Sequence, residues 1–381
     1  MSVWDELVGQ DSVVQTLKDA VAVPGAMTHS WLLTGPPGSG RSNAARAFAA
    51  ALQCEQGGCG SCESCQNVSR GTHPDVTVVA TEKVTIAIDE VRGLISQASR
   101  TPSGGRWRVI IIEDADRMAE RTTNVLLKAI EEPPPRTVWL LCAPSPQDVM
   151  VTIRSRCRQV SLRIPPVEAV AQLLVDRDGA DPQVALVAAR AAQSHVGLAR
   201  RLAHDPQARS RRNAVLNLVT KIRGVADAVI YAGELVAVSQ DEAKSATEER
   251  DAEEKAELLR MLGAELGKKL APALRSQLKQ LEDEQKRRAT RHQRDVLDRA
   301  MIDLLSLYRD ILTMQLHTGS DLINLEQEDF ILRVAETSTA VQTLDKMDAI
   351  ATARTRLAGN VAALLAVEAM MVALRPPARQ S

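Results

Sequence analysis

A glycine-rich loop near the start of the chain most narrows the folds open to it. The loop Gly35-Pro36-Pro37-Gly38-Ser39-Gly40-Arg41-Ser42 follows the apolar run 30–34 and precedes an Ala-rich, helix-forming run at 43–52. P-loops have this order, because the loop N–H groups and the N-terminus of the next helix together form a phosphate site. The sequence therefore predicts a P-loop domain built on a parallel α/β sheet.

Strand-like and helix-like segments alternate across residues 1–164. Runs rich in β-branched residues are typical of parallel strands that are covered by helices on both faces. Beyond Pro165-Pro166, nearly every segment has helical spacing instead. The predicted strands are 30–34, 76–79, 108–112 and 137–141, and the predicted helices among them are 43–52, 89–99 and 122–130.

Two features depart from the pattern of an active P-loop ATPase. Arg41 stands where the motif has lysine, and its bulkier, forked guanidinium suits a tight phosphate loop poorly. Glu113 precedes Asp114, whereas the usual order is Asp for magnesium and then Glu for the attacking water. Because small errors of placement cost large factors in rate, we expect poor or absent hydrolysis. Two alternatives stay open: the loop is a working nucleotide site, or it keeps its shape and binds nucleotide weakly or not at all.

Four of the six cysteines lie close together and have the spacing Cys-x4-Cys-x2-Cys-x2-Cys. They are Cys54, Cys59, Cys62 and Cys65. Four thiolates suit tetrahedral Zn²⁺ and leave no place for a reacting water, so the spacing predicts a structural zinc module. An iron–sulfur cluster and two labile disulfides are the alternatives. Cys142 and Cys157 are predicted to be small buried apolar residues.

Together these motifs resemble the clamp-loader branch of the AAA+ family, over roughly residues 3–205. The resemblance rests on the four-cysteine insertion and on three strings, Val8-Gly9-Gln10, Leu126-Leu127-Lys128-Ala129-Ile130-Glu131-Glu132-Pro133-Pro134 and Ser155-Arg156-Cys157. It implies an α/β AAA+ P-loop domain at 1–164, with a zinc module at about 54–65. A small helical lid at 165–205 and an all-α collar domain for oligomerisation at 206–381 are implied to follow.

The resemblance also implies roles for single residues. Arg156 matches the arginine finger, which points in trans at the ATP of a neighbouring subunit. Arg200, in the string Gly197-Leu198-Ala199-Arg200, matches the sensor-2 residue, and Ala143-Pro144 replaces a polar sensor-1 residue. The resemblance further implies a degenerate nucleotide site, which consists of Gly35, Gly38, Gly40, Arg41, Ser42, Glu113, Asp114 and Arg200. ATP and Mg²⁺ are expected to bind there weakly or not at all.

The function implied is that of a stator in the clamp loader of bacterial DNA polymerase III, itself a nucleotidyltransferase. Such a subunit assembles with gamma/tau and delta, and it supports ATP-dependent loading of the sliding clamp on primer-template DNA without catalysis of its own. The alternatives are an active gamma/tau-like AAA+ ATPase and a zinc-dependent DNA-binding module. The balance of 47 basic against 48 acidic residues and the scarcity of aromatic residues weigh against the DNA-binding module.

The segment 241–295 is rich in charged residues and carries a leucine every four residues in one stretch. The stripe consists of Leu258, Leu262, Leu266 and Leu270. This pattern predicts a solvated helical hairpin. The alternative is that the basic residues at 286–294 contact DNA phosphates.

The sequence has no recognisable targeting segment or membrane span. Residues 1–6 have neither the basic nor the apolar region of a signal peptide. The most apolar stretch near the C-terminus, 360–374, is too short for a bilayer and contains Glu368. We therefore expect a cytoplasmic protein with no membrane contact.

Overall fold

The chain is organised as two units, Met1–Asp205 and Pro206–Ser381. The structure is a computed structural model that describes residues 2–23, 25–79, 85–104, 106–261, 272–359 and 361–376. The further division of the first unit into a P-loop domain and a lid at 165–205 stays a prediction.

A five-stranded sheet forms the centre of the first unit. Its strands are β1 (Ser30–Thr34), β2 (Val76–Val79), β3 (Arg108–Ile112), β4 (Thr137–Ala143) and β5 (Arg158–Ser161). They are ordered β2-β3-β4-β1-β5, and every neighbouring pair is parallel. This confirms the predicted α/β domain with a parallel sheet.

The first unit has nine α-helices among its described residues, of which the first six contribute buried residues to the clusters on the two faces of this sheet. They are α1 (Asp11–Ala22), α2 (Arg41–Gln53), α3 (Glu63–Arg70), α4 (Ile88–Ala98), α5 (Glu120–Glu131), α6 (Val151–Arg154), α7 (Val167–Asp178), α8 (Pro182–Ala191) and α9 (Val196–His204). Alternate residues of β3 point to opposite faces, since Ile111 belongs to the buried cluster that contains Phe48 of α2, and Ile110 to the cluster that contains Leu126 of α5. The β-branched residues of the strand are therefore buried on both faces.

Four elements of the first unit were not predicted from the sequence, namely α1, α3, α6 and β5. Helix α1 lies ahead of the first strand and contributes the buried residues Val13 and Leu17. Strand β5 pairs with β1 at the edge of the sheet, and of its four residues Val160 alone is buried. Strand β4 also continues two residues beyond the predicted end, to Ala143.

The described part of the second unit is helical. Its helices are α10 (Pro206–Thr220), α11 (Val225–Met261), α12 (Pro272–Gln315), α13 (Glu328–Thr337), α14 (Ala340–Ala358) and α15 (Ala363–Ala373). The core consists mainly of Leu, Ile, Ala and Met side chains, with the fully buried Tyr308 among them. This confirms the predicted helical architecture, whereas the role of a collar stays a prediction.

The predicted helical hairpin is formed by α11 and α12. Arg288 Nη2 lies 2.5 Å from Glu254 Oε2, and Lys255 Nζ lies 2.9 Å from Glu282 Oε1. Arg288 of the basic run is thus engaged inside the hairpin, where 15% of its side chain is exposed. Three residues of the predicted leucine stripe lie outside the described residues, namely Leu262, Leu266 and Leu270.

Candidate functional site

The glycine-rich loop connects β1 to α2 and depends on its glycines. Gly38 and Gly40 have φ angles of 87° and 88°, a backbone conformation that favours glycine. A Cβ added at Gly38 would lie 3.1 Å from the Cβ of His195, which precedes α9. Gly35 N–H donates to Pro144 O (3.2 Å), so the Ala143-Pro144 pair lies beside the loop. The loop backbone therefore lies close to neighbouring segments at its glycines, as in a P-loop.

Gln10 ties this loop to the segment that follows β5. Its Nε2 donates to Arg163 O at 2.5 Å and to Ser39 O at 3.3 Å, and its Oε1 accepts from Arg163 N–H at 3.2 Å. Only 4% of Gln10 is exposed. Gly9 has φ +69°, and a Cβ there would lie 2.9 Å from Pro166 Cδ. The Val8-Gly9-Gln10 string thus connects the P-loop, through Gln10, to the backbone of the segment that follows β5.

Arg41 turns back onto the loop that carries it. Its Nη1 donates a hydrogen bond to the carbonyl of Gly35. An arginine in a P-loop needs its guanidinium hydrogen bonds for the phosphates if it is to replace lysine. Here one nitrogen of that group is engaged by the loop backbone. Ser42 follows in the first turn of α2.

The carboxylate of Glu113 is bound by a cation from the same P-loop helix. Its Oε1 accepts hydrogen bonds from Arg46 Nη2 at 2.9 Å and Arg46 Nε at 3.2 Å. Asp114 Oδ1 lies 3.9 Å from Arg117 Nε. Sequence reasoning missed Arg46, although its place one helical turn after Ser42 put it on the face that carries the motif. The structure places Glu113 directly after β3, where its carboxylate forms an ion pair with the P-loop helix.

Arg200 lies in α9 and pairs with a carboxylate of α7. Its Nη2 is 3.4 Å from Asp178 Oδ1, while Arg177 Nη2 is 2.7 Å from Asp178 Oδ2. These side chains line a cavity together with Arg201 and His204, and 59% of the Arg200 side chain is exposed. His195 contacts the P-loop, whereas the contacts of Arg200 are with α7. The sensor-2 role of Arg200 stays a prediction.

The three arginines of the segment 154–158 have different partners. Arg154 Nη1 donates to Pro146 O (3.2 Å), and the Arg158 guanidinium lies 4.8 Å from the centroid of the Trp31 ring. Arg156 Nη2 instead lies 2.5 Å from Glu131 Oε1, with about two fifths of both side chains exposed. Arg156 is therefore the member whose partner is an exposed carboxylate.

The backbone of Arg156 is fixed to the central sheet. Ser30 Oγ donates to Arg156 O at 2.7 Å, and Ser30 is 1% exposed. Arg156 Nη1 donates to Thr152 O at 2.8 Å and contacts Ser155 Oγ at 3.3 Å. Sequence reasoning did not find Ser30, because no local pattern links β1 to a turn more than a hundred residues later.

The geometry of the four-cysteine cluster fits a tetrahedral metal ion. Its sulfur atoms lie within 4.8 Å of one another, and Cys54 Sγ is 3.7 Å from both Cys59 Sγ and Cys62 Sγ. A tetrahedron with Zn–S bonds of about 2.3 Å has edges of about 3.8 Å. Hydrogen bonds from the Ser61 backbone lower the pKa of Cys59 to about 6, whereas burial raises the pKa of Cys65. The cluster can therefore hold a metal ion.

The other two cysteines are buried, as predicted. Burial raises the pKa of Cys142 to about 12 and that of Cys157 to about 11, so both thiols stay protonated near neutral pH. Cys142 belongs to β4 and Cys157 immediately precedes β5. Neither is placed to act as a nucleophile, because the thiolate is the reactive form.

The N-terminal segment anchors the cysteine loop. Trp4 Nε1 donates to Gly57 O at 2.9 Å, and Val3 N–H donates to Gly58 O at 3.1 Å. Ser2 Oγ donates to the same carbonyl at 2.9 Å. Gly58 has φ +106°, and a Cβ there would lie 2.6 Å from Val3 Cγ2. The loop therefore packs against residues 2–4 closely enough to require glycine.

Comparison with known proteins finds a family match within the first unit. The family model described as DNA polymerase III, delta subunit, matches residues 9–166, a range that contains the P-loop, the four cysteines and Arg156. Residues 9–166 are therefore similar to this family. Together with the parallel sheet, the match supports the AAA+ fold implied by the motifs.

Individual relatives point to the same type of protein. DNA polymerase III subunit delta′ of Pseudomonas aeruginosa is 34% identical over 200 residues, 51% of this chain and 61% of that protein. DNA polymerase III subunit gamma/tau of Mycobacterium bovis is 33% identical over 174 residues, 44% of this chain and 30% of that protein. The match therefore spans about six tenths of the delta-prime relative. These findings support a clamp-loader protein of the delta-prime type.

Structural comparison gives a likeness over most of the chain. The crystal structure of a DNA polymerase III gamma subunit-related protein from Thermotoga maritima covers 95% of this chain and 98% of that chain. The identity is 14% and the TM-score is 0.42. Among the described residues, no helix combines the length and the apolar character needed to cross a membrane.

Proposed function

We propose that the chain is the delta-prime stator of a bacterial DNA polymerase III clamp loader. In this role it assembles with the gamma/tau and delta subunits through a collar formed by residues 206–381. It supplies Arg156 in trans to the ATP site of a neighbouring gamma/tau subunit. ATP-driven changes in the ring then place the sliding clamp on primer-template DNA. The matches to delta-prime and gamma/tau relatives support membership of such a complex.

The Arg46–Glu113 ion pair is the observation that carries the proposal. In an active site the carboxylates after β3 act on Mg²⁺ and on the attacking water. Here Glu113 is 17% exposed and takes its positive partner from the chain itself. Arg41 likewise donates to Gly35 of its own loop. Both contacts support a subunit that leaves hydrolysis to its neighbours.

Arg156 has the chemistry that a neighbouring ATP site needs. A guanidinium supplied in trans stabilises the charge on the transferring phosphoryl group, and it is worth about 10³–10⁵ in rate. An exposed ion pair such as Arg156–Glu131 contributes about 0–1 kcal/mol. A polyphosphate in a water-excluded interface attracts the guanidinium more strongly than that. The exposed pair therefore leaves Arg156 free to change partners.

The four cysteines would hold a structural Zn²⁺. All four coordination positions would be filled by thiolates, so the ion would fix the fold of the segment 54–65 and would not take part in hydrolysis. This segment joins α2, which begins at the P-loop, to α3. The cysteine residues would thus stabilise the C-terminal end of the P-loop helix.

The proposal is tested by ATP hydrolysis with the isolated chain and with the reconstituted complex. The chain alone should be inactive, and a mixture of gamma/tau, delta, clamp and primed DNA should hydrolyse ATP faster when the chain is added. Strong hydrolysis by the isolated chain would favour an active gamma/tau-like ATPase instead. Tight, salt-sensitive DNA binding by the isolated chain would favour the DNA-binding module.

A further inference from the structure

We infer that Glu131 is a positioning residue for Arg156: its carboxylate orders the guanidinium before a neighbouring ATP site receives it. This inference rests on the proposed function, since it concerns the residue through which the finger acts. The contact that motivates it is the 2.5 Å separation of Arg156 Nη2 and Glu131 Oε1. The two residues come from different elements, α5 and the turn between α6 and β5.

The location of Glu131 is rigid. It is the last residue of α5, and Pro133-Pro134-Pro135 follows Glu132 and ends the helix, because proline cannot continue the hydrogen-bond ladder. The helix is anchored through Leu126 and Ile130, which are fully buried. Glu131 therefore presents its carboxylate from a fixed point at the end of a packed helix.

The helix end itself needs a cation at this point. A carboxylate in the last turn lies beside unpaired carbonyl groups and the negative end of the helix dipole, which is unfavourable. Glu131 and Glu132 place two such groups there, and Lys128 is the basic residue of the same turn. Arg156 brings a positive charge from another element to this negative end. The ion pair is therefore favoured both by the Glu131 carboxylate and by the negative end of the α5 dipole.

Arg156 is held at three points along its length. Ser30 Oγ fixes its backbone carbonyl, Thr152 O accepts from Nη1, and Glu131 accepts from Nη2. A free arginine side chain has many rotamers, and restricting them in advance lowers the entropy lost when the guanidinium docks. Because the ion pair is exposed, it costs little to exchange the carboxylate for a phosphate. Glu131 therefore orders the side chain without trapping it.

The test is a double-mutant cycle on ATP hydrolysis by the fully reconstituted complex, with E131Q, R156A and the double variant. E131Q should lower hydrolysis about threefold to tenfold, while R156A should lower it by a much larger factor. The double variant should equal R156A alone, because Glu131 acts through Arg156. E131D should fall between E131Q and the unaltered protein. E132Q, which changes the neighbouring carboxylate, should hydrolyse at the unaltered rate.

Each other outcome has a defined meaning. Hydrolysis by E131Q at or above the unaltered rate would overturn the positioning role, and so would a further loss when E131Q is added to R156A. If R156A lowers hydrolysis and E131Q does not, this inference alone fails. If R156A itself has no effect, the proposed function fails and the inference fails with it. Size-exclusion of each complex shows whether a loss comes from assembly, which the inference requires to be unchanged.

Discussion

Arg46 Nη2 lies 2.9 Å from Glu113 Oε1. The helix α2, which begins at the end of the phosphate loop, therefore also supplies the cation that pairs with the acidic residue after β3. In a hydrolysing P-loop protein that acidic group faces magnesium. The pair therefore engages the carboxylate that would face magnesium in the proposed nucleotide site.

The double variant R41K/R46A should bind Mg·ATP at least about tenfold more tightly than the unaltered chain. Lysine would place a compact charge among the phosphates, and the loss of Arg46 would free Glu113. Isothermal titration measures both affinities on the isolated chain. The additional change S42A should abolish the gain, because it removes the hydroxyl of the motif. Low-micromolar binding by the unaltered chain would contradict this account of the site.

Purified protein should contain close to one zinc ion per chain, and C59S should lose most of it. The thiolate cluster should contribute enough stability that C59S melts more than about 5 °C lower. Metal analysis and thermal denaturation measure the two effects on the same samples. C142A is the matched control, since Cys142 is buried away from the cluster and should leave the zinc content unchanged. Iron in place of zinc would indicate the alternative cluster.

Alanine substitutions at Gly57 and Gly58 test how closely the cysteine loop packs against residues 2–4. Both have positive φ, but a Cβ at Gly57 meets nothing within 4 Å, whereas one at Gly58 lies 2.6 Å from Val3 Cγ2. We expect G57A to destabilise the protein by about 1 kcal/mol and G58A by about 3 kcal/mol. Denaturant unfolding of the full chain measures both. Equal effects would show that residues 2–4 do not pack against the loop as described.

The hairpin of α11 and α12 should depend on pH through Glu254. Hydrogen bonds from Arg288, with a smaller contribution from Arg250, lower the pKa of Glu254 to about 2. The pKa of Glu254 in the folded state lies below its value in the unfolded chain, which is about 4.3. The ionised carboxylate therefore stabilises the fold fully at pH values above the unfolded-state pKa. This stabilisation is lost as the pH falls towards 2.

The difference in melting temperature between E254Q and the unaltered protein should therefore be largest above about pH 5 and should shrink in acid. Circular dichroism at several pH values measures it. E253Q alters an exposed neighbour and is the matched control. A difference that stays constant with pH would mean that the carboxylate charge of Glu254 does not stabilise the hairpin.

Much of the sheet could be predicted from local pattern. The three inner strands β1, β3 and β4 are continuous buried runs, and the P-loop marks the junction of β1 and α2. Strand β5 could not be predicted this way, because Arg158, Gln159 and Ser161 are exposed and a single buried valine gives no periodicity. Its strand character comes from pairing with β1.

The candidate site shows the same division between local and long-range information. Motifs located the P-loop, the carboxylates after β3, the cysteine cluster and Arg156. The partners of these residues could not be predicted, because Arg46 meets Glu113 and Arg156 meets Glu131 only after the sheet has assembled. The cysteine spacing is the exception, since its ligands lie within one short loop and need no distant element.

The most direct test of the central claim compares R156A with R154A in the reconstituted clamp loader. Arg154 lies two residues earlier and donates to Pro146 O, so R154A controls for the loss of an arginine from the same segment. With assembly unchanged, R156A should lower ATP hydrolysis by about 10² or more, while R154A should retain most of it. Equal hydrolysis by R156A and the unaltered complex would contradict the claim that this chain completes a neighbour's ATP site.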